Sequence, residues 1–167
     1  AKTDPVALER ALKAGAFVLE SAQFPDTLRD AGQIPPAIFV RGDVAALSAP
    51  TVAIVGTRSA TTYGKAVAQK FSERLAGAGV TIISGGALGI DQAAHHGALA
   101  AGGRTAAVMA TGIDGVYPPS HRALFQQITE RGCLISQFAC GSRPFGPKFL
   151  MRNELMAAMA DAVLVIE

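Results

Sequence analysis

A glycine-rich segment, Ser84-Gly85-Gly86-Ala87-Leu88-Gly89, follows one apolar run and precedes a helical pattern that begins near Asp91. Glycines let a backbone approach an anion closely, and the helix behind them adds unpaired N–H groups and the positive end of its dipole. We therefore expect Ser84, Gly85 and Gly86 to lie beside a phosphate. The simpler interpretation is a tight turn whose glycines serve packing alone.

The turn Gly56-Thr57-Arg58 is the second segment that could bind phosphate. It follows the apolar run at residues 51–56. A planar guanidinium at the carboxyl end of a strand can hold a phosphate through two parallel hydrogen bonds. We expect this turn, and Arg58 above all, to contact phosphate, whereas the simpler alternative is a salt-bridged arginine on the rim of the fold.

Neither glycine segment matches a nucleotide-cofactor motif. The loop after Ser84 reads G-G-x-x-G rather than G-x-G-x-x-G, and no acidic residue closes a following strand at the distance that a dinucleotide site requires. Gly64-Lys65 lies too far from Gly56 for a P-loop, and Ala66 stands where a magnesium-binding Ser or Thr is needed. The sequence therefore predicts neither dinucleotide binding nor triphosphate hydrolysis.

The stretch from Arg131 to Asn153 contains no acidic residue and has Phe145 and Phe149 among its basic residues. The basic residues are Arg131, Arg143, Lys148 and Arg152. Cations that follow phosphates, together with rings that stack on bases, are typical of single-stranded nucleic-acid binding, and stacking contributes about 1–3 kcal/mol per base. We expect Lys148 and Arg152 to hold phosphates and Phe149 to offer a stacking face; the alternative for Phe149 is a place in the core.

Residues that could carry catalysis or bind a metal are few. His95 and His96 are adjacent, so on a helix they diverge by about 100° and cannot easily share one metal ion. Cys133 and Cys140 lack the C-x-x-C spacing of a zinc site, and no G-x-S-x-G elbow occurs. Asp91 is expected to be a helix N-cap rather than a base. The sequence predicts no catalytic residue, no metal ion and no cofactor.

The elements that must position these residues alternate regularly from residue 51 onward. Unbroken apolar runs occur at 51–56, 80–84, 105–110, 133–136 and 162–166. Such runs indicate strands that are buried on both faces, as in a parallel sheet covered by helices. We predict an α/β fold, doubly wound, with a mostly parallel sheet and helices on both faces. Ligands of such sheets bind beyond the carboxyl ends of the strands, where the candidate segments should converge.

Helical patterns separate the strands. A helix is predicted over 63–78 with an apolar stripe of Val67, Phe71, Leu75 and Ala78. Further helices are predicted over 91–101, 120–131 and 151–160, the last of them preceded by a long loop from 137 to 150. This arrangement would place Lys148 and Phe149 on irregular backbone.

Residues 1–43 have a different character. Asp4-Pro5 is a good helix start, Leu8, Leu12 and Leu19 recur near helical spacing, and 38–40 is a candidate short strand. We predict that 1–43 form a lead-in or linker, or the end of another domain. Residues 44–167 would then form the Rossmann-like domain.

The overall composition excludes several classes of protein. Of 167 residues, 17% are charged, where soluble domains average about 25%. Half are apolar, the net charge is +2 and there are 2 cysteines, so neither a disordered chain nor a disulfide scaffold fits. No apolar run is long enough for a membrane span, and no signal peptide is visible. We therefore expect a cytoplasmic domain.

The order and spacing of many short motifs resemble the DNA-processing protein A family (DprA, also called Smf). The motifs are FP (24–25), PPAIFVRGD (35–43), VAIVGTR (52–58), YG (63–64), SGGALGIDQAAHHGAL (84–99), GGRTAAV (102–108), GIDGVYPPSHRAL (112–124), LIS (134–136), F-x-x-RN (149–153) and AVLVIE (162–167). So many motifs in order are more specific than any single glycine loop.

The resemblance implies a cytoplasmic protein with an extended Rossmann-like domain and no known catalysis. It implies sequence-nonspecific binding of single-stranded DNA, a homodimer, and loading of the RecA recombinase onto incoming strands in natural transformation, with no membrane partner. In the family the arginine of the G-[ST]-R turn contacts DNA, and the phenylalanine before Arg-Asn lies against a base. The expected DNA-binding residues are Gly56, Thr57, Arg58, Ser84, Gly85, Gly86, Lys148, Phe149, Arg152 and Asn153.

The sequence departs from the family pattern at several positions. Gly146 stands where a lysine is common, so Lys148 or Arg143 would have to replace it. Leu150 replaces the usual proline, Gln137 a frequent glutamate, and Glu154 an arginine. The family also continues past residue 167 into further strands, so we expect the domain to be incomplete at its C-terminus.

Two alternative functions remain open from the sequence. Related Rossmann-like folds include nucleotide phosphoribohydrolases, whose P-G-G-x-G-T-x-x-E motif would follow the strand at 162–166. A nucleotide-sensing or protein-interaction module is the other alternative. Release of free base from nucleoside monophosphates would indicate the enzyme, and binding of a mononucleotide without binding of oligo-dT would indicate the sensor.

Overall fold

The computed structural model describes residues 5–31, 35–48 and 50–167. These residues form one mixed sheet with the strand order β1-β2-β6-β5-β4-β3-β7. The strands are β1 Phe17–Glu20, β2 Ala37–Gly42, β3 Thr51–Gly56, β4 Thr81–Ser84, β5 Thr105–Val108, β6 Cys133–Ser136 and β7 Ala162–Ile166. Strands β3 to β7 pair in parallel, whereas β2 pairs antiparallel with both β1 and β6.

Helices cover both faces of the sheet. They are α1 Pro5–Lys13, α2 Asp26–Arg29, α3 Thr62–Gly77, α4 Ile90–Ala100, α5 Arg122–Arg131 and α6 Gly146–Ala158, with short 3₁₀ turns at Ser21–Gln23, Val44–Ser48 and Pro119–His121. Successive strand side chains point to opposite faces. Ile54 accordingly packs with α3 and α4, while Ala53 packs with α6. The predicted doubly wound α/β class is confirmed.

The strand order locates the topological switch point. Next to β3 lie β4, which follows it through α3, and β7, which the chain reaches through α6 on the other face. The carboxyl ends of β3 and β7 therefore bound the crevice where doubly wound sheets bind ligands. Among the described helices, none is both long and apolar enough to cross a membrane.

The N-terminal segment belongs to the same sheet. β2 pairs with β6 from Phe39↔Ser136 to Gly42↔Cys133, so the sheet extends across the predicted boundary at residue 43. The predicted helical assignment of Leu19 is wrong, because Gly15 has a φ of +71° and the chain turns there into β1. Asp4, expected to start the first helix, lies outside the described residues.

The predicted apolar stripe of α3 is displaced by one residue. The helix buries Gly64, Ala68, Ser72 and Ala76, while Phe71 is 50% exposed. The reason is a close contact with α4: Ser72 Oγ donates to the Ala94 carbonyl, and a Cβ on Gly97 would overlap the Gln69 carbonyl oxygen. Two helices that approach this closely need small side chains between them.

The last helix begins earlier than the sequence pattern indicates. α6 starts at Gly146 rather than at Met151, with Pro147 in its first turn. Proline is favoured in the first turn of a helix because its missing N–H would have no intrahelical acceptor there. The predicted long loop is therefore shorter, and Lys148 and Phe149 lie on helical backbone.

Candidate nucleic-acid interface

A pocket opens at the carboxyl edge of the parallel strands, beside the glycine loop. Its cavity volume is about 90 Å³. Its walls come from the ends of β3, β4 and β5 and from α5 and α6. The lining residues are Arg58, Gly85, Ala87, Leu88, Met109, Ala110, Thr111, Tyr117, Pro118, Phe125, Phe149 and Arg152. The floor is therefore mainly apolar, and the cations Arg58 and Arg152 lie in its wall.

Arg58 and Phe149 face each other at the mouth of this pocket. Arg58 is exposed, and its guanidinium carbon lies 4.5 Å from the centroid of the Phe149 ring, a cation–π distance. The ring of Tyr117 lies on another side of Phe149, with the centroids 6.0 Å apart and the planes inclined at 56°. The pocket thus presents a cation and two aromatic rings together.

The first turn of α6 positions Phe149 and Lys148. Lys148 Nζ donates to the Arg143 carbonyl over 3.0 Å and lies 5.2 Å from the ring centroid of Phe138 and 5.7 Å from that of Phe145. The ammonium group is thus held at the surface between a carbonyl and two aromatic rings. Lys148 belongs to the surface next to the pocket rather than to its wall.

Arg152, which the sequence predicts as a phosphate contact, is buried and bonded to backbone carbonyls. It is 5% exposed, and its Nη1 donates to the carbonyl oxygens of Gly85 and, over 2.8 Å, Val108. Burial lowers the pKa of the guanidinium, the nearby Asp91 carboxylate raises it, and Arg58 lowers it. The carbonyl bonds tie α6 to the ends of β4 and β5, so Nη1 serves the fold. A phosphate contact by Arg152 stays a prediction.

Asn153 follows on the exposed side of the same helix. Its Oδ1 accepts a hydrogen bond of 2.9 Å from Arg152 Nε. Asn153 therefore holds the arginine in place, and it also lines the neighbouring cavity between β3, β7 and α6. Whether it also contacts DNA stays a prediction.

Asp91 is not the N-cap of α4, because Gly89 takes that position. Its Oδ2 instead accepts from the N–H groups of Gly85 (3.1 Å) and Ala87 (3.2 Å). The carboxyl group is 4% exposed; burial raises its pKa, while Arg152 and the loop N–H groups lower it. The Gly85 N–H is therefore engaged by Asp91 in this structure, and its expected role as a phosphate donor stays a prediction.

Ser84 and Gly86 of the glycine segment are buried rather than exposed at the protein surface. Ser84 is fully buried, and its hydroxyl donates to the Ile54 carbonyl over 2.7 Å. The buried Gly86 has a φ of +66°, and its carbonyl accepts from His121 Nδ1 over 3.0 Å. A Cβ on Gly86 would press on the Phe125 ring. The interpretation of this segment as a tight, packed turn therefore accounts for Ser84 and Gly86.

The turn after β3 shows a similar division of roles. Thr57 donates its N–H to Glu167 O and accepts from Ile90 N, and a Cβ on Gly56 would overlap the Ile166 carbonyl. Gly56 and Thr57 therefore join β3 to its neighbours, and Arg58 is the residue of this turn that reaches the pocket. The Glu167 carboxylate accepts from the N–H and hydroxyl of Thr61, the N-cap of α3.

The structure adds pocket residues that the sequence argument left out, above all Tyr117 and Leu88. Both are large side chains with exposed surface, 43% and 48% respectively. The available signal was position: Tyr117 lies in the loop after the third predicted strand, at the sheet edge where the candidate segments converge. No cluster of three or more potential metal ligands occurs in the described ranges 5–31, 35–48 and 50–167.

The fold and the pocket together define a class of protein: a Rossmann-like domain whose pocket at the carboxyl edge combines an arginine with two inclined aromatic rings. Within that class, the chain belongs to the DNA recombination-mediator protein A family, whose model matches residues 16–167. The resemblance inferred from the motifs is confirmed.

Similarity to individual proteins supports the same family. Protein Smf of Synechocystis is 39% identical over 152 residues, which cover 89% of this chain and 38% of that protein. The structure of DNA processing protein A from Streptococcus pneumoniae superposes with a TM-score of 0.89 at 30% identity, covering 99% of this chain and 58% of the other. The chain thus spans about two fifths of the Synechocystis protein's length.

DNA processing protein A from Helicobacter pylori is a further structural relative. It matches with a TM-score of 0.82 and 32% identity, and covers 90% of this chain and 68% of the other. The structural work on that protein describes its binding of single-stranded DNA.

Proposed function

We propose that this domain binds single-stranded DNA without sequence preference, through the pocket at the carboxyl edge, and that it does so without catalysis. The observation that carries the proposal is the exposed Arg58 guanidinium against the face of Phe149. A cation and an aromatic face at one mouth match the two parts of a nucleotide, its phosphate and its base. The Helicobacter pylori relative, which binds single-stranded DNA, supports the same assignment.

The pocket chemistry favours single strands over duplex. Base faces in a duplex are covered by neighbouring bases, whereas a single strand can turn a base onto a protein ring. The Arg58 guanidinium lies 4.5 Å from the centroid of the Phe149 ring, where a stacked base would lie. A base that stacks on this face therefore has to displace the guanidinium. The displaced guanidinium is then available to the adjacent phosphate. Every base has a stacking face, so this mode tolerates any sequence.

The salt dependence of binding tests the role of Arg58. We expect Arg58→Gln to weaken binding to oligo-dT and to reduce the slope of log K against log salt by about 0.7, the value for one phosphate contact on a single strand. Lys70→Gln, which removes an exposed charge in the middle of α3, is the matched control and should leave the slope almost unchanged. Equal slopes for wild type and Arg58→Gln would contradict the assignment.

The wider role rests on family membership. We propose that the protein acts in the cytoplasm as a homodimer and loads the RecA recombinase onto single strands that enter during natural transformation. The family description as a recombination mediator supports this role. Faster RecA filament formation on protein-coated single strands would support it, and no acceleration would oppose it. Free base released from nucleoside monophosphates would overturn the non-enzymatic assignment.

A further inference from the structure

Tyr117 lines the pocket just before the chain turns into α5. Tyr117 is 43% exposed, and Pro118 also lines the cavity. The chain then makes the 3₁₀ turn Pro119–His121 and begins α5 at Arg122. The Arg58–Phe149 site accounts neither for the exposed ring of Tyr117 nor for the exposed cation Arg122 that follows it in the chain.

The geometry of the two rings excludes a shared base. A base held between two parallel rings needs about 7 Å between them, twice the 3.4 Å stacking distance of nucleic-acid bases. The Tyr117 and Phe149 centroids are 6.0 Å apart and their planes are inclined at 56°. A base on Phe149 therefore meets Tyr117 at an edge, and the exposed surface of Tyr117 is left for another base.

The position of Tyr117 is fixed by contacts below it. The buried His121 donates from Nδ1 to the Gly86 carbonyl over 3.0 Å, and its backbone N–H donates to the Pro118 carbonyl over 3.0 Å. Val116 packs against the buried cluster that contains Phe125. A ring held in this way loses little conformational freedom on binding, which favours its use as a contact.

Arg122, at the start of the helix that follows Tyr117, supplies a charge. It is exposed at the first position of α5, and the first turn of that helix has no acidic residue. A cation at a helix N-terminus is unfavourable in isolation, since it adds to the positive end of the dipole. The same combination attracts a phosphate strongly.

We propose that Tyr117 and Arg122 form a second contact zone, which binds the nucleotide next to the one on Phe149: Tyr117 stacks on its base and Arg122 pairs with its phosphate. The proposal rests on the proposed function, because it extends the path of the single strand across the pocket from Arg58 to α5. It makes the minimal footprint two adjacent nucleotides.

The stacking part is tested with Tyr117→Leu, which keeps an apolar side chain but removes the ring. Stacking of one base predicts a loss of affinity for oligo-dT of roughly 5- to 150-fold. Tyr117→Phe should bind like wild type. Phe71→Leu, at a half-exposed ring on α3, is the matched control for loss of a surface aromatic. Thermal melts of all variants confirm that the fold is kept.

An abasic strand of the same length separates stacking from phosphate contact. At low salt, Tyr117→Leu should bind the abasic strand as well as wild type does, while Arg122→Gln should bind both strands more weakly and lower the salt slope by about 0.7. Lys70→Gln is again the charge control. Equal binding of oligo-dT by Tyr117→Leu and wild type would overturn the proposal, as would an equal loss on the abasic strand. Failure of the wild type to bind oligo-dT would instead refute the proposed function.

Discussion

Replacing Arg152 by methionine should destabilise the fold rather than remove a DNA contact. The substitution leaves the carbonyls of Gly85 and Val108 without their donor and leaves the buried Asp91 carboxylate without its nearby positive charge. Leaving a buried carbonyl without its donor costs about 1–3 kcal/mol, so losing both bonds costs roughly 2–6 kcal/mol. For a domain of this size, about 2–4 °C is lost per kcal/mol, so the melting temperature should fall by roughly 4–24 °C.

The matched control is Arg58→Met, because the same change is made at an exposed position of the same pocket. Substitutions at the surface usually alter stability by no more than about 0.5 kcal/mol. Urea unfolding followed by circular dichroism gives both free energies of unfolding. If Arg152→Met is as stable as Arg58→Met but binds oligo-dT poorly, Arg152 does not stabilise the fold through its buried hydrogen bonds and instead contacts DNA.

Two further predictions concern the core. Burial lowers the pKa of His95 to about 3, so between pH 6.5 and 3 the unfolded chain binds a proton that the folded chain does not. The free energy of unfolding should therefore fall by about 1.4 kcal/mol for each unit by which the pH falls. His95→Asn should flatten this slope in urea titrations from pH 7 to 4.5, and an unchanged slope would refute the role of His95. Gly97→Ala should lower the melting temperature, because the added Cβ overlaps the Gln69 carbonyl. Gly77→Ala is the control, since its added Cβ meets nothing within 4 Å. Equal melting temperatures for the two variants would contradict the close α3–α4 contact.

The positions of the parallel strands could be predicted from the sequence, because strands that are buried on both faces consist of unbroken runs of apolar residues. The run at 133–136 became β6 with the predicted bounds and is buried along its length. The run at 162–166 also became β7 with the predicted bounds, but its predicted burial on both faces is wrong, because β7 is an edge strand whose Val163 and Val165 are exposed. The glycine loop fell at the predicted sheet edge. The apolar stripe of α3 could not be predicted, since the spacing between two helices depends on the partner. Only the structure shows that Gly97 brings α4 against Ser72 and turns Phe71 outward.

The candidate site was predictable as a location but only partly as a set of roles. Residue type and position led to Arg58 and Phe149, which the structure brings together. Ser84, Gly85 and Arg152 have suitable chemistry for phosphate, but their polar groups are used by Ile54, Asp91 and backbone carbonyls. Whether a polar side chain is free depends on packing across several strands, which no local pattern encodes.

The Helicobacter pylori relative binds single-stranded DNA, and the pocket described here joins an exposed arginine to an aromatic face. The most direct test compares wild type with Phe149→Leu by fluorescence anisotropy on oligo-dT and on a duplex of equal length, with Phe145→Leu as the control for an exposed ring near the pocket. We expect wild type to prefer the single strand and Phe149→Leu to lose roughly 5- to 150-fold in affinity for it. Equal affinity of wild type for both DNAs, or of Phe149→Leu and wild type for oligo-dT, would contradict the central claim.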